Sequence, residues 1–289
     1  VIRLHPMVVM GALIGAVVFY FQGCPVWDVS KVTVLALLTA TFINALLIPA
    51  TPGTEIRGLG EMYPLNGPSW SLFFEYIGNI LYALFIRKFS TKALSGLVFF
   101  AGCGLAVFAI GGPYGDICAG FSLTGIEFTA GFLRLLFSFS AGLLLFRIFK
   151  PANIKGAFWI CSLSIVALLS TPRIGGAEYL WMNGLYDTVC FALLFPILVY
   201  LGASGKTTDK YTTRLCKFLG EISYPLYMVH YPFIYLYYAW VKNNQLTFRE
   251  SLPGAAGVVI GSILLAYICL KLYDIPVRKY LTSRFLKQK

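Results

Sequence analysis

Nine apolar runs, broken by polar joins, constrain this chain more than any other feature. They lie at about 6–21, 32–50, 69–86, 93–111, 129–149, 154–170, 184–203, 218–241 and 254–275. Most reach the roughly 17–25 residues with which an α-helix crosses a bilayer. In hydrocarbon every backbone N–H and C=O must be satisfied internally, so only helices and closed barrels span it. A barrel strand alternates apolar and polar residues over about ten positions, whereas these runs are continuously apolar. The expected fold is all-α, a polytopic transmembrane helix bundle with 8–9 membrane segments, in one membrane domain over residues 1–289.

Charge supports this and gives an orientation. Only 12% of the residues are charged and mean hydropathy is +0.76, against about 25% charged in a soluble domain. A net charge of +11 raises the question of nucleic acid, but the placement of the cations answers it. Lys31, Arg87, Lys88, Lys92, Arg147, Lys150, Lys155, Lys206, Lys210, Arg214 and Lys217 fall in alternate joins. Arg278, Lys279, Arg284, Lys287 and Lys289 follow the last run. These sixteen face five on the other side, Arg3, Arg57, Arg173, Lys242 and Arg249. The positive-inside rule then puts the C-terminal tail and the joins after the third, fifth and seventh runs in the cytoplasm. A lipid bilayer is the expected partner and nucleic acid is not. The seven cysteines show neither a disulfide framework nor metal-ligand spacing, so no metal is expected.

Nine full crossings with the tail inside place Val1 outside. If Arg3 is cytoplasmic instead, one early run does not cross. The run 32–50 contains Asn44 and leads into a long polar loop, Thr51 to Gly67. A re-entrant or interfacial piece is expected there.

Glu75 is the first candidate for chemistry. It sits in an apolar run with Ser71 one turn before it and Asn79 one turn after. A carboxylate in hydrocarbon is expensive and usually faces a bundle interior or a wet cavity. The competing reading is a structural carboxylate that pairs with arginine or snorkels to the interface. Trp70, just before it, is either a belt aromatic or one wall of a cleft. A second face carries Ser223, Tyr227 and His230 at i, i+4 and i+7, with Pro225 free to kink the helix. His230 serves equally well as a hydrogen-bonded packing residue or as a catalyst. In a third run Arg134 must snorkel or pair, with Glu75 its obvious partner and Asp187 a weaker candidate. Gly142, two turns beyond Arg134, is expected to admit a neighbouring helix closely. Arg3-Leu4-His5-Pro6 opens the first run, as an interfacial anchor or an anion contact. Phosphate-cradling glycine loops, nucleophile elbows and zinc motifs of the familiar kinds are not found.

Taken together these stretches resemble the integral-membrane acyltransferase family 3, which includes polysaccharide O-acetylases. The features that match, in order, are Arg3-x-His5-Pro6, Trp70-Ser71-Leu72-x-x-Glu75 and Gly220-x-x-Ser223-Tyr224-x-x-Tyr227-x-x-His230. The Arg134 to Gly142 helix between them also has the family look. The resemblance implies about ten helices with both termini cytoplasmic, in a bacterial plasma (inner) membrane. It implies transfer of an acyl group, acetyl for preference, from acyl-CoA to a hydroxyl of a carbohydrate or other cell-envelope acceptor. Acyl-CoA is then a co-substrate, and no bound cofactor is expected.

In this family the first helix bears a basic residue and then a histidine regarded as the catalytic base, and the second an aromatic-rich Ser-Gly segment. Neither is present here, and His5 cannot stand in for that histidine. The chain is therefore expected to be N-terminally truncated, to lack its first two helices, and to show no turnover alone. Within it, Glu75 and His230 are the catalytic candidates. Glu75, about two turns in from the outer face, is cast as ordering the acceptor or the base. Arg3 and Arg134 are cast as contacts to anionic groups of the donor, and Trp70, Ser71, Ser223 and Tyr227 as cleft residues. The rival classes are a transporter or flippase for a sugar or small anion, and a membrane-bound O-acyltransferase with His230 as its intramembrane histidine.

Overall fold

The computed structural model describes residues 2–51, 55–207 and 209–286. Val1, residues 52–54 of the polar loop, and Lys287 and Lys289 of the basic tail lie outside the described residues. Each of the nine apolar runs carries a helix. Among the described residues four helical stretches are long and apolar enough to cross a membrane: Thr91–Gly111, Gly125–Ile148, Leu180–Ala203 and Phe248–Phe285. His5–Phe21, Val34–Ala45 and Ala157–Leu169 are shorter apolar helices.

The chain divides into two compact units. The first comprises Val1–Phe73, Phe121–Leu123 and Lys217–Lys289. Helix α1 (His5–Phe21) has Pro6 in its first turn, where the missing N–H removes no intrahelical bond. Its glycines let other backbone come very close. A Cβ on Gly15 would overlap the Leu65 carbonyl, and one on Gly11 would crowd the Asn66 amide and the Met228 carbonyl.

Helix α2 (Val34–Ala45) starts at Thr33, whose Oγ1 accepts the Ala36 N–H at 3.2 Å. Its 12 residues span about 18 Å, well short of the roughly 30 Å hydrocarbon core. The stretch Met62–Ser69 that follows is buried rather than solvated. It can be buried because its backbone is partnered: Ala50 N–H donates to Met62 O and Met62 N–H to Phe121 O, both at 2.8 Å.

The first unit continues through the start of α3 (Ser69–Leu84), most of α9 (Lys210–Asn243), α10 (Phe248–Cys269) and α11 (Ile275–Phe285). A π-helical turn, Leu270–Asp274, joins α10 to α11 and touches α1. The core gathers Phe19, Trp27, Ala40, Leu65, Tyr235 and Ala239. Helix α9 begins well before the expected position 218, because Lys210, Arg214 and Lys217 extend it in turns too polar for a hydropathy reading to mark.

The second unit comprises Phe74–Gly120 and Thr124–Cys216. Helices α4 (Thr91–Gly111) and α5 (Gly125–Ile148) form an antiparallel pair. Helix α7 (Leu180–Val189) packs on α4, where Gly184 lies against the Ala109 carbonyl. A π-helical turn, Cys190–Leu194, leads on to α8 (Phe195–Ala203), which packs against α6 (Ala157–Leu169). Ala101, Leu105, Phe137 and Phe191 form the core.

At one end of this unit a two-residue parallel ladder pairs Ile154–Lys155 with Gly205–Lys206. There Arg147 Nη1 also donates to Phe89 O at 2.7 Å. The basic joins after the third, fifth and seventh runs thus meet at one end. Gly142 differs from expectation. A Cβ on it would meet nothing within 4 Å, and it lines a groove of about 180 Å³ with Phe137, Phe195 and Val199.

Candidate functional site

In the first unit the three quoted stretches converge on one face of α9. Tyr224 OH donates to Leu4 O at 2.6 Å, which ties α9 to the Arg3-Leu4-His5-Pro6 start of α1. Tyr227 OH lies 3.0 Å from Pro68 O and 2.5 Å from Ser71 Oγ, which ties α9 to the Trp70-Ser71 start of α3. Ser71 Oγ in turn lies 3.1 Å from Pro68 O. These three oxygens form a compact polar node. Trp70, next to it in the chain, is half-buried, while Arg3 and Ser223 are exposed. Ser223 Oγ donates to Gly220 O at 3.0 Å.

Two prolines shape α9 here. Pro232 has no N–H to give the carbonyl four residues earlier, that of Met228. Asn66 replaces the missing donor, with Nδ2 2.9 Å from Met228 O. His230 sits between these features. Its Nδ1 lies 3.0 Å from Leu226 O and 2.9 Å from Tyr227 O. A carbonyl can only accept, so Nδ1 carries a proton, and Nε2 is the ring nitrogen left for other partners. The His230 ring is 6.0 Å from that of Tyr227 and 5.8 Å from that of Tyr231.

One turn further, Tyr231 meets Tyr235 edge to face at 4.8 Å. Tyr235 covers a buried cation that the sequence reading counted only as a loop charge. Arg57 is 1% exposed, with its guanidinium carbon 3.7 Å from the Tyr235 ring centroid, 4.5 Å from Trp27 and 5.0 Å from Phe19. Desolvated cation–π contacts of this kind are worth about 2 kcal/mol. Arg57 Nε donates to Pro64 O at 2.8 Å, and its backbone N–H to Glu55 Oε1 at 2.5 Å. Among the described residues its Nη2 is buried without a hydrogen-bond partner.

Tyr235 OH donates to Glu61 Oε2. Burial pushes the Glu61 carboxyl up to about 7, although the Tyr235 hydrogen bond and the Arg57 charge both pull it down. Burial also weakens the hold of Arg57 on its proton, but a guanidinium stays charged in any protein.

Arg57, Glu61, Asn66 and Tyr235 were the residues sequence reasoning missed. For Tyr235 a signal existed, since Tyr227, Tyr231 and Tyr235 repeat every four residues. Arg57 and Glu61 had none, because the rings that cage Arg57 and the hydroxyl that holds Glu61 lie far off in the chain.

Glu75 and Arg134 belong to the second unit. Glu75 is exposed on α3, and Asn79 Nδ2 donates to its backbone carbonyl at 2.8 Å. Arg134 Nη1 donates to Ile117 O at 3.0 Å and Ala119 O at 2.6 Å. Neighbouring groups hold the same loop. Asp187 Oδ2 accepts from Ile117 N at 3.1 Å, Glu127 Oε2 from Gly120 N at 2.7 Å, and Asn183 Nδ2 donates to Gly115 O at 2.9 Å. Arg134, expected to pair with Glu75, and the weaker candidate Asp187 thus both fasten the loop before α5. Among the described residues no group of three His, Cys, Asp or Glu side chains is placed to hold a metal ion.

A family model described as an acyltransferase domain matches residues 2–271 of the chain. No curated protein and no solved structure matches it.

Proposed function

Because the chain belongs to acyltransferase family 3, we propose that it moves an acyl group, acetyl for preference, from acyl-CoA to a hydroxyl of a carbohydrate or other cell-envelope acceptor. The carrying observation is the polar node at Tyr227, where the starts of α1 and α3 are tied to α9 through hydroxyls. In the proposed reaction the acceptor oxygen attacks the thioester carbonyl. A C–O bond forms, the C–S bond breaks, and the hydroxyl proton passes through a base to the departing coenzyme A thiolate.

His230 has the free ring nitrogen for that proton or for orienting the hydroxyl, with Nδ1 committed to two carbonyls. Tyr227 and Ser71 hold the acceptor by hydrogen bonds, with Trp70 and Ser223 beside it. Glu75, one turn along α3 from Ser71, orders the acceptor, and Arg3 meets anionic groups of the donor. The basic joins gathered at one end of the second unit suit a cytoplasmic face, in the inner membrane of a bacterium.

The test uses the product of the whole coding sequence in membranes, supplied with acyl-labelled CoA. Label bound covalently to an envelope carbohydrate is the expected result. Label that never leaves CoA overturns the proposal, and transport of a sugar without acylation would replace it. Glu75→Ala in that protein should abolish transfer with expression intact, and near-normal transfer removes Glu75 from the mechanism.

A further inference from the structure

We infer that Arg57, Glu61 and Tyr235 form a proton-sensitive latch that seats the 55–68 loop on α9 and so regulates the Ser71–Tyr227 node. As a latch this rests on geometry. As regulation of acyl transfer it rests on the function proposed above.

The loop delivers two pieces to the node, Asn66 to the Met228 carbonyl and Pro68 O to Tyr227. Both depend on how the preceding residues are held. Arg57 anchors them from below through Pro64 O and is itself gripped by rings from α1, the 22–29 turn and α9. Glu61 makes the second grip, through the Tyr235 hydroxyl. Gly67 is pressed between the two fastenings, since a Cβ there would lie 2.7 Å from the Tyr231 ring and 3.2 Å from Tyr235 OH. The loop therefore has little freedom to shift without disturbing the node.

The groups facing Glu61 are few. From α9 come Tyr235 and, behind it, Tyr231. From its own loop come Arg57 and Glu55. Against Arg57, in turn, lie the Phe19 ring of α1 and, from the 22–29 turn, Trp27 with Cys24 beyond it. Burial is the largest influence and favours the neutral acid, which the Tyr235 hydrogen bond and Arg57 oppose without cancelling. The seated loop thus holds a proton that a released loop, at an ordinary carboxyl value of 4.5, gives up. Seating is strongest at low pH, weakens by up to about tenfold per pH unit as pH rises between these values, and levels off above about 7.

Hydrogen exchange on the full-length protein reads the latch without any need for activity. The reporters are the Met62 and Asn66 amides, which donate to Phe121 O and Tyr63 O. After correction for intrinsic exchange, their protection should fall from pH 5 to 7 and then flatten. Glu61→Gln, a neutral mimic of the acid, should hold it high throughout. Tyr235→Phe keeps the ring over Arg57 but removes the hydroxyl that favours the carboxylate, and should carry the fall to higher pH. Protection that is flat in the wild type, or that falls in parallel in Glu61→Gln, overturns the latch.

The pH profile of acyl transfer is then compared for the wild type and Glu61→Gln. A profile that Glu61→Gln flattens supports the regulatory reading, and an unmoved profile overturns it. No transfer by the wild type at any pH, alongside the expected exchange behaviour, overturns the proposed function and leaves the latch standing.

Discussion

At the scale of single residues, a carboxamide stands in for a missing backbone donor. Pro232 leaves Met228 O without its helical partner, and Asn66 Nδ2 supplies one at 2.9 Å. Asn66→Ala strands a buried carbonyl and should cost about 1–3 kcal/mol, read as a lower unfolding midpoint in detergent. Pro232→Ala restores the N–H, so the double variant should recover part of that loss. Additive losses would show that the two residues act separately. Tyr227→Phe keeps the ring and removes the hydrogen bonds to Ser71 and Pro68. Acyl transfer should drop by about tenfold, the value of one hydrogen bond, with stability little changed. Ser71, Tyr227 and His230 were legible from helical spacing alone. Arg57 was not, because its cage combines Phe19, Trp27 and Tyr235, residues no local pattern connects.

At the scale of elements, two glycines of apolar helices differ in what surrounds them. Gly15→Ala drives a methyl into the Leu65 carbonyl and should destabilise by about 1–3 kcal/mol. Gly142→Ala meets open space, and should be neutral or gain up to about 1 kcal/mol of helix propensity. Thermal unfolding of the two variants decides, and equal losses would contradict this account. Spacing placed Gly142 correctly on its helix but could not say whether that face has a neighbour. Helix existence was legible where apolar runs mark it, but α11 lies in the basic stretch beyond the last run and was not. The start of α9 at Lys210 was not, since a helix that continues in charged turns leaves no apolar trace. The burial of Met62–Ser69 was hidden for a related reason. Short of β-branched and periodic residues, it reads as loop until its backbone partners at Ala50 and Phe121 are known.

At the scale of the whole molecule, the loop charges and the second unit's architecture agree on which joins share a side. Single cysteines at Lys150 and Lys206, in a background without the native thiols, should react with an impermeant maleimide from the same face. The cytoplasmic face is the expected one. Reaction from opposite faces would break the topology. Global stability should also carry the Glu61 signature. The folded carboxyl sits above its unfolded value, so its contribution is complete below about pH 4.5 and is lost as pH rises to about 7. Unfolding midpoints measured from pH 5 to 8 should fall over the lower part of that range, and Glu61→Gln should lessen the fall.

The bond between Asn66 and Met228 spans 162 positions of the chain, and the ribosome meets its two ends at different times. At about 5–20 residues per second, on the order of ten to thirty seconds separate the synthesis of the loop from that of its partner. During that interval Leu65 and Asn66, both buried in the finished fold, have no α9 to lie against. The nascent chain must shelter them by other means, in the insertion machinery or against α1. A pause in translation before α9 should therefore expose this loop to membrane proteases, and a pause after α9 should not.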